Sequence, residues 1–208
     1  MKIIIFGATG SIGSEIVKQG MERAHDVTAF VRSRNHLNYD DSDKLCFVQG
    51  DVSNLEDVQR AILNHDAVLC AIGDGRAGKI RAIGSRNIVQ AMEGGNVKRL
   101  ICQTTLGVGD SYNNLNFFWK YAMFGCFLKK VYKDHERQEL YITGSSLDYT
   151  IIRPSALTKG EVTNQFKRGF NADERKLSLK ISRADVAFFM LEQLDAPERS
   201  QKIIGISY

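Results

Sequence analysis

The sequence predicts an α/β fold: a doubly wound parallel sheet with helices on both faces, as a single domain over residues 1–208. Three observations predict it. Through the first half, short Val/Ile/Leu-rich runs alternate with amphipathic helical stretches, and near-continuous apolar runs of this kind belong to strands covered on both faces. A glycine-rich loop, "GATGSIG" at residues 7–13, follows the first run and opens the first helix. The composition, 43% hydrophobic and 25% charged over 208 residues, is that of a globular chain long enough to bury a substantial core.

Taken in order, "KIIIF" (2–6) is the first strand, and Ile12, Ile16 and Val17 mark one face of the helix after the loop. "DVTAFV" (26–31) and "LCFVQ" (45–49) are the next strands. In "NLEDVQRAILN" (54–64), Leu55, Val58, Ile62 and Leu63 form one helical stripe. "AVLCAI" (67–72), a helix over about 79–93, and "RLICQTT" (99–105) complete the alternation. The second half continues with a long aromatic-rich helical region (115–143), the strand "DYTIIR" (148–153) broken at Pro154, a helix opening at Ser182 and a closing strand "KIIGIS" (202–207). "SRAD" at 182–185 offers a serine cap with an acid three residues later, so Arg183 and Asp185 are expected to set that cap and no more.

The bulk numbers exclude several function classes. A net charge of +4 suits an anionic small molecule better than a nucleic acid, which calls for a denser Lys/Arg face. No apolar stretch approaches the ~20 residues of a bilayer span, and the N-terminus reads as a strand rather than a signal peptide. Cys46, Cys70, Cys102 and Cys126 form no C-x-x-C pair and read as buried small hydrophobes in a reducing, cytoplasmic setting. His25, His36, His65 and His135 are scattered, so no metal site is expected. A monomer is expected.

The loop explains its own composition. Gly7 permits the tight turn, Gly10 lets the backbone approach a pyrophosphate, and Gly13 lets helix and strand pack closely. With Thr9, Ser11 and Ile12 these residues are expected to hold a dinucleotide, whose phosphates are drawn by the helix N-terminus. About 20 residues beyond such a loop an acid grips the ribose hydroxyls of NAD. Here the second strand ends in "VRSRN", and the paired guanidinium groups of Arg32 and Arg34 suit a 2′-phosphate instead. The expected cofactor is NADP(H).

"GATGSIG", "FVRSRN", "GDVSN" (50–54), "DAVLCAIG" (66–73), "LDYTIIRPSAL" (147–157) and "ISRADVA" (181–187) together resemble the atypical short-chain dehydrogenase/reductase group. Within it the chain is similar to the NAD(P)H-binding proteins that include the biliverdin-IXβ and flavin reductases. The resemblance covers nearly the whole chain and implies a Rossmann-like sheet with the nicotinamide at the carboxyl ends of the strands. It also implies that Asp51 and Val52 meet the adenine and that Ile72 and Gly73 line the ribose and pyrophosphate path. Thr104, Thr105 and the "RPSA" turn (153–156), hence Pro154 and Ser155, would flank the nicotinamide.

Two departures narrow the chemistry. No tyrosine has a lysine four residues on, so the proton shuttle of alcohol–ketone chemistry is absent. Ala156 stands where the flavin reductases carry a histidine, which bears on tetrapyrrole preference rather than on flavin reduction. What the resemblance then implies is NADPH-dependent hydride transfer to a planar conjugated acceptor. Free flavin (FMN, FAD or riboflavin), as substrate rather than tightly bound cofactor, comes first, and a biliverdin-type tetrapyrrole second. Thr105, at a strand end, and His135, on the long helix beside the pocket, are the candidate catalytic residues, His135 with a charge that switches near neutral pH. Residues from about 106 to 208 would elaborate the acceptor pocket. The aromatic and lysine-rich stretch 116–133 reads as a pocket wall, as a membrane or protein contact, or as a core helix. The alternative function is a non-catalytic NADP(H)-sensing or assembly protein of the nitrogen-repressor-like branch. A quinone acceptor is a weaker third.

Overall fold

Ile3, Ile4 and Ile5 of β1 (Lys2–Phe6) are all fully buried, which only a strand covered on both faces can satisfy. The computed structural model describes residues 1–33, 44–196 and 201–208. After β1 come α1 (Gly13–Glu22), β2 (Asp26–Val31), β3 (Leu45–Gln49), α2 (Leu55–Ile62), β4 (Ala67–Cys70), α3 (Ile80–Glu93) and β5 (Arg99–Gln103). The second half holds α4 (Lys129–Thr143), β6 (Asp148–Pro154), β7 (Ala156–Thr158), β8 (Lys167–Arg168), β9 (Lys180–Ser182), α5 (Arg183–Glu192) and β10 (Lys202–Ser207).

The central sheet has eight strands in the order β3-β2-β1-β4-β5-β6-β10-β8, every neighbouring pair parallel except β10–β8. This is the doubly wound arrangement, with the strand order reversing between β1 and β4. Alternation along β1 divides the core in two. Ile3 and Ile5 pack with Ile16 and Val17 of α1 and with Val186 and Phe189 of α5. Ile4 and Phe6 pack with Val58 of α2, Ile88 and Met92 of α3, and Ile142 of α4. Among the described residues no helix is long and apolar enough to cross a membrane, and no group of three or more His, Cys, Asp or Glu could hold a metal ion.

Several elements differ from expectation. The β4–β5 pairing ends at Cys70↔Cys102, short of the predicted strand ends, because residues 71–73 and 104–106 leave the ladder to line a crevice. The region 115–143 is not one helix. A π-helical segment, Phe118–Phe127, precedes α4, with Leu128 N–H donating five residues back to Met123 O at 2.6 Å. Only Phe124 of that segment is buried, so no continuous apolar stripe holds it to α-helical register. The core-helix reading of 116–133 is therefore corrected. β7 and β9 pair as a small second sheet, an addition too short to leave a periodic signal. Cys70 and Cys102 are buried, but Cys46 on β3 and Cys126 on the π-helical segment are exposed, correcting the expectation for those two.

Candidate functional site

The glycine loop is set by backbone proximity. Gly7 has φ +86°, and a Cβ there would lie 2.4 Å from the carbonyl oxygen of Ala71. A Cβ on Gly13 would sit 2.0 Å from Gly7 O, so only glycine lets α1 start this close to β1. α1 begins without a side-chain cap at Ile12, with Ser14 N–H bonded back to Gly10 O at 2.8 Å, and the positive end of its dipole faces the loop. The loop opens into a cavity of about 1060 Å³ at the carboxyl ends of the strands.

That cavity gathers nearly all of the sequence-derived set. Gly7, Thr9, Gly10, Ser11, Ile12, Arg32, Asp51, Val52, Ile72, Gly73, Thr104, Thr105, His135, Pro154 and Ser155 line it. Gly13 lies behind the loop, in its packing role. Arg34 lies outside the described residues.

At one end stand Arg32, exposed at the end of β2, and Asp51. Ser53 donates both its hydroxyl (2.7 Å) and its backbone N–H (2.8 Å) to the Asp51 carboxylate. These bonds, with a smaller contribution from Arg32, hold the Asp51 pKa below its usual value.

At the other end the hydroxyls divide. Thr104 Oγ1 donates into α4, to Glu139 Oε1 at 2.7 Å. Arg153 grips the same carboxylate through Nε (2.9 Å) and Nη2 (2.6 Å), and reaches Asp110 through Nη1 at 2.6 Å. Burial opposes the Arg153 charge, but the bonds and charges of Glu139 and Asp110 together outweigh it and raise its pKa. Arg153 and Glu139 thus form a buried strut under the "RPSA" turn. Thr105, half-buried, donates to Leu106 O at 3.4 Å. Ser155 Oγ is buried in the cavity wall with no hydrogen-bond partner among the described residues, an orphan of the kind that a ligand's polar group resolves.

His135 needs a correction. Its ring is buried and its Nδ1 lies 2.8 Å from Gln138 Oε1. Gln138 Nε2 in turn donates to Ser85 Oγ (3.0 Å) and Cys102 Sγ (3.2 Å), which fixes the amide orientation. The imidazole therefore carries its proton on Nδ1, leaving Nε2 as an acceptor. Burial, assisted by the nearby Arg81 guanidinium, pushes its pKa down to about 3. It is a neutral acceptor near pH 7, not a group whose charge switches there.

The 116–133 stretch has two faces. Trp119, Phe124, Leu128 and Val131 line the cavity, and Phe124 packs with Leu106, Leu115 and Leu179. Phe117, Phe118, Tyr121 and Phe127 face outward, 78%, 57%, 60% and 70% exposed.

Several lining or supporting residues went unread in the sequence. Arg183, which the local pattern assigns to a cap alone, lines the cavity and donates from Nε to Ser11 Oγ at 3.0 Å. Its signal was available: a cation in the first turn of a helix opposes the dipole. Asp74 and Arg81 pair at 2.6 Å on the cavity wall. Asp134 of α4 accepts from the Arg81 and Ala82 N–H groups at 3.1 Å each, capping α3 from a neighbouring helix. Glu139 left no local signal, since its partners lie far along the chain.

The model for NAD(P)H-binding proteins matches residues 7–197. The chain belongs to this family. YMR090W of Saccharomyces cerevisiae is 27% identical over 97% of this chain and 90% of its own length. Protein TIC 62 of rice is 28% identical over 81% of this chain, which spans 37% of that relative. The photosystem II assembly factor Ycf39 of Synechocystis is 24% identical over 77% of this chain, which spans 46% of it. Among solved structures, the oxidoreductase ylbE of Lactococcus lactis superposes with a TM-score of 0.84 at 27% identity, covering 100% of this chain and 90% of its own. Two others share the fold. The anaerobilin reductase ChuY of Escherichia coli has a TM-score of 0.81 at 23% identity, covering 100% of this chain and 97% of its own. A short-chain dehydrogenase/reductase of Veillonella parvula in complex with NADP has 0.85 at 18%, covering 100% and 94%. The fold is thus that of NAD(P)-binding Rossmann-like oxidoreductases, and the chain is an NAD(P)H-binding member.

Proposed function

We propose that the chain is an NADPH-dependent reductase that delivers a hydride to a planar conjugated acceptor, free flavin first and a linear tetrapyrrole second. The observation that carries this reading is the continuity of the cavity. One volume of about 1060 Å³ runs from the glycine loop to a chamber walled by Trp119, Phe124, Leu128 and Leu179. That is at the top of the usual range for a single small ligand (roughly 300–1000 Å³), which suits a dinucleotide with a second, apolar molecule beside it.

The residues present fit the cofactor. The Gly7–Gly13 cradle has no room for a Cβ at Gly7 or Gly13, Arg32 supplies a cation for a 2′-phosphate, and the orphaned Ser155 hydroxyl offers a partner for a carboxamide. NADPH supplies the hydride when bound. The protein's share is position and dryness. Thr105 and Ser155 orient the reacting ring, and the aromatic wall, drawn with the rest of 106–208, holds the acceptor flat and excludes water. His135 accepts a hydrogen bond through Nε2, and the final proton comes from water. The anaerobilin reductase activity named for ChuY, a fold neighbour, supports the tetrapyrrole arm.

A second reading has its own observation. The aromatics Phe117, Phe118, Tyr121 and Phe127 are exposed and do not line the cavity, and Ycf39 is named as an assembly factor. A non-catalytic NADP(H)-dependent assembly or sensing role follows from that pair. The test is anaerobic NADPH oxidation with FMN, NADH serving as the control. Saturable, protein-dependent bleaching of FMN that prefers NADPH is expected. Tight NADPH binding with no turnover on FMN, biliverdin or a quinone would sink the reductase reading and leave the assembly role.

A further inference from the structure

Four arginines line the cavity among the described residues, and they are distributed unevenly: Arg76 stands on the segment after β4, two residues beyond Asp74. Arg81 is bound to Asp74 at 2.6 Å and so brings no net charge. Arg32 stands at the β2 end, beside Asp51. The glycine loop itself has one cation on it, Arg183, reaching over from α5 to Ser11.

Arg183 is held there by construction. The preceding Ser182 caps α5, its Oγ accepting from Asp185 N–H at 2.9 Å. Asp185, fully buried, accepts from Tyr208 Oη (2.6 Å), from Thr163 N–H and Oγ1 (2.8 Å each) and from Asn164 N–H (2.8 Å). Two other chain segments, 163–164 and the C-terminal Tyr208, thereby fix the first turn of α5. The guanidinium in that turn sits against the dipole of its own helix, a local conflict that belongs to functional positions. Its Nε donates to Ser11 Oγ, and among the described residues no carboxylate lies within ion-pair distance of it. The forked Nη groups are the part of the side chain that matches two oxygens of a phosphate ester.

We propose that Arg183 is the pyrophosphate clamp: a side-chain fork from α5 that closes over the diphosphate while the glycine loop and the N-terminus of α1 hold it from beneath. The clamp rests on the dinucleotide reading of the cavity but not on the acceptor or on the preference for NADPH. It makes the phosphate site a two-element device, with Arg183 serving the diphosphate common to NADH and NADPH and Arg32 serving the 2′-phosphate of NADPH alone.

The test is equilibrium binding of NADPH, NADH and adenosine 2′-phosphate to the wild type, Arg183→Gln, Arg183→Lys, Ser11→Ala and Arg32→Ala. For Arg183→Gln, both dinucleotides are expected to weaken by the same factor, about tenfold or more, as for loss of a charge-assisted contact. Adenosine 2′-phosphate, which lacks a diphosphate, should bind it as it binds the wild type. Arg183→Lys should fall between, since it keeps the charge and loses the fork, and it decides the matter if the glutamine variant is unstable. Unchanged dinucleotide affinity in Arg183→Gln overturns the clamp. So does a Ser11→Ala variant that reproduces the full loss, because Arg183 would then act only by holding the loop. Arg32→Ala losing NADPH and NADH equally counts against the 2′-phosphate assignment while leaving the clamp intact. A wild type that binds neither dinucleotide overturns both readings.

Discussion

The two ends of the cavity are built from different materials. The phosphate end is backbone: Gly7 pressed on the Ala71 carbonyl, Gly13 pressed on Gly7, and the uncapped start of α1. The end proposed for the acceptor is side chain: the Glu139–Arg153–Thr104 strut, the neutral His135, and an aromatic wall on a π-helical segment with one buried residue. Backbone geometry at sheet ends is rigid and insensitive to side-chain exchange, so it suits a cofactor shared by many proteins. Side-chain networks tolerate repacking and set which acceptor fits. On the proposed function, this difference puts cofactor binding and acceptor choice on separable parts of one fold.

The sharpest way to break this comparison is to remove the strut. Glu139→Ala leaves the Arg153 guanidinium, buried with it, without the carboxylate that takes two of its bonds. Removing one partner of such a pair costs about 3–5 kcal/mol, far more than the pair contributes against an apolar replacement. Urea unfolding should register that loss, and the acceptor end should loosen first, with dinucleotide binding retained longer than turnover. A loss under about 1 kcal/mol would mean that the strut behaves as a surface ion pair does and that the acceptor end draws its rigidity from elsewhere.

The same division governs how much was legible in the sequence. The glycine spacing and Arg32 could be read because a loop's backbone needs and a strand's end are local properties. The sheet order followed from the alternation of apolar runs and helices. Glu139 could not be read, since its partners Thr104 and Arg153 stand 35 and 14 residues away. The break at Leu128 was hidden because aromatic residues report burial in sequence, whereas Phe117, Phe118, Tyr121 and Phe127 are exposed. His135 lines the cavity, but its charge state depends on burial and on Arg81, which only the folded chain supplies. Arg183 reads as a cap residue because "SRAD" satisfies a capping pattern, and that local explanation masks the conflict with the helix dipole.

A smaller effect sharpens the reading of His135. Its native pKa of about 3 lies below the usual 6.5, so in acid the unfolded chain binds a proton that the native chain refuses. The stability that His135 contributes is complete above pH 6.5 and is lost progressively as pH falls from about 6.5 toward about 3, by up to about 1.4 kcal/mol per pH unit. Stability measured between pH 7 and 5 should therefore fall less steeply in His135→Asn than in the wild type. The rate of acceptor reduction, by contrast, should show no inflection from this histidine across pH 5–8. An inflection that vanishes in His135→Asn would return His135 to the role of proton donor.

The smallest expected effect concerns Thr105. Its neighbour Thr104 is committed to Glu139, while Thr105 Oγ1 makes a 3.4 Å bond to Leu106 O from a half-buried position on the cavity wall. The Thr105 hydroxyl can therefore turn to a ligand with little loss, whereas Thr104 cannot. Thr105→Val keeps the shape and removes one hydrogen bond of about 0.5–1.5 kcal/mol, which corresponds to a roughly two- to tenfold slower hydride transfer in single turnover. NADPH affinity should stay near that of the wild type, because the phosphate end is untouched. Thr104→Val should instead lower stability, as it strips a donor from the buried Glu139 carboxylate. If the two variants behave alike, the hydroxyls belong to one structural network and the division between a supporting Thr104 and a ligand-facing Thr105 fails.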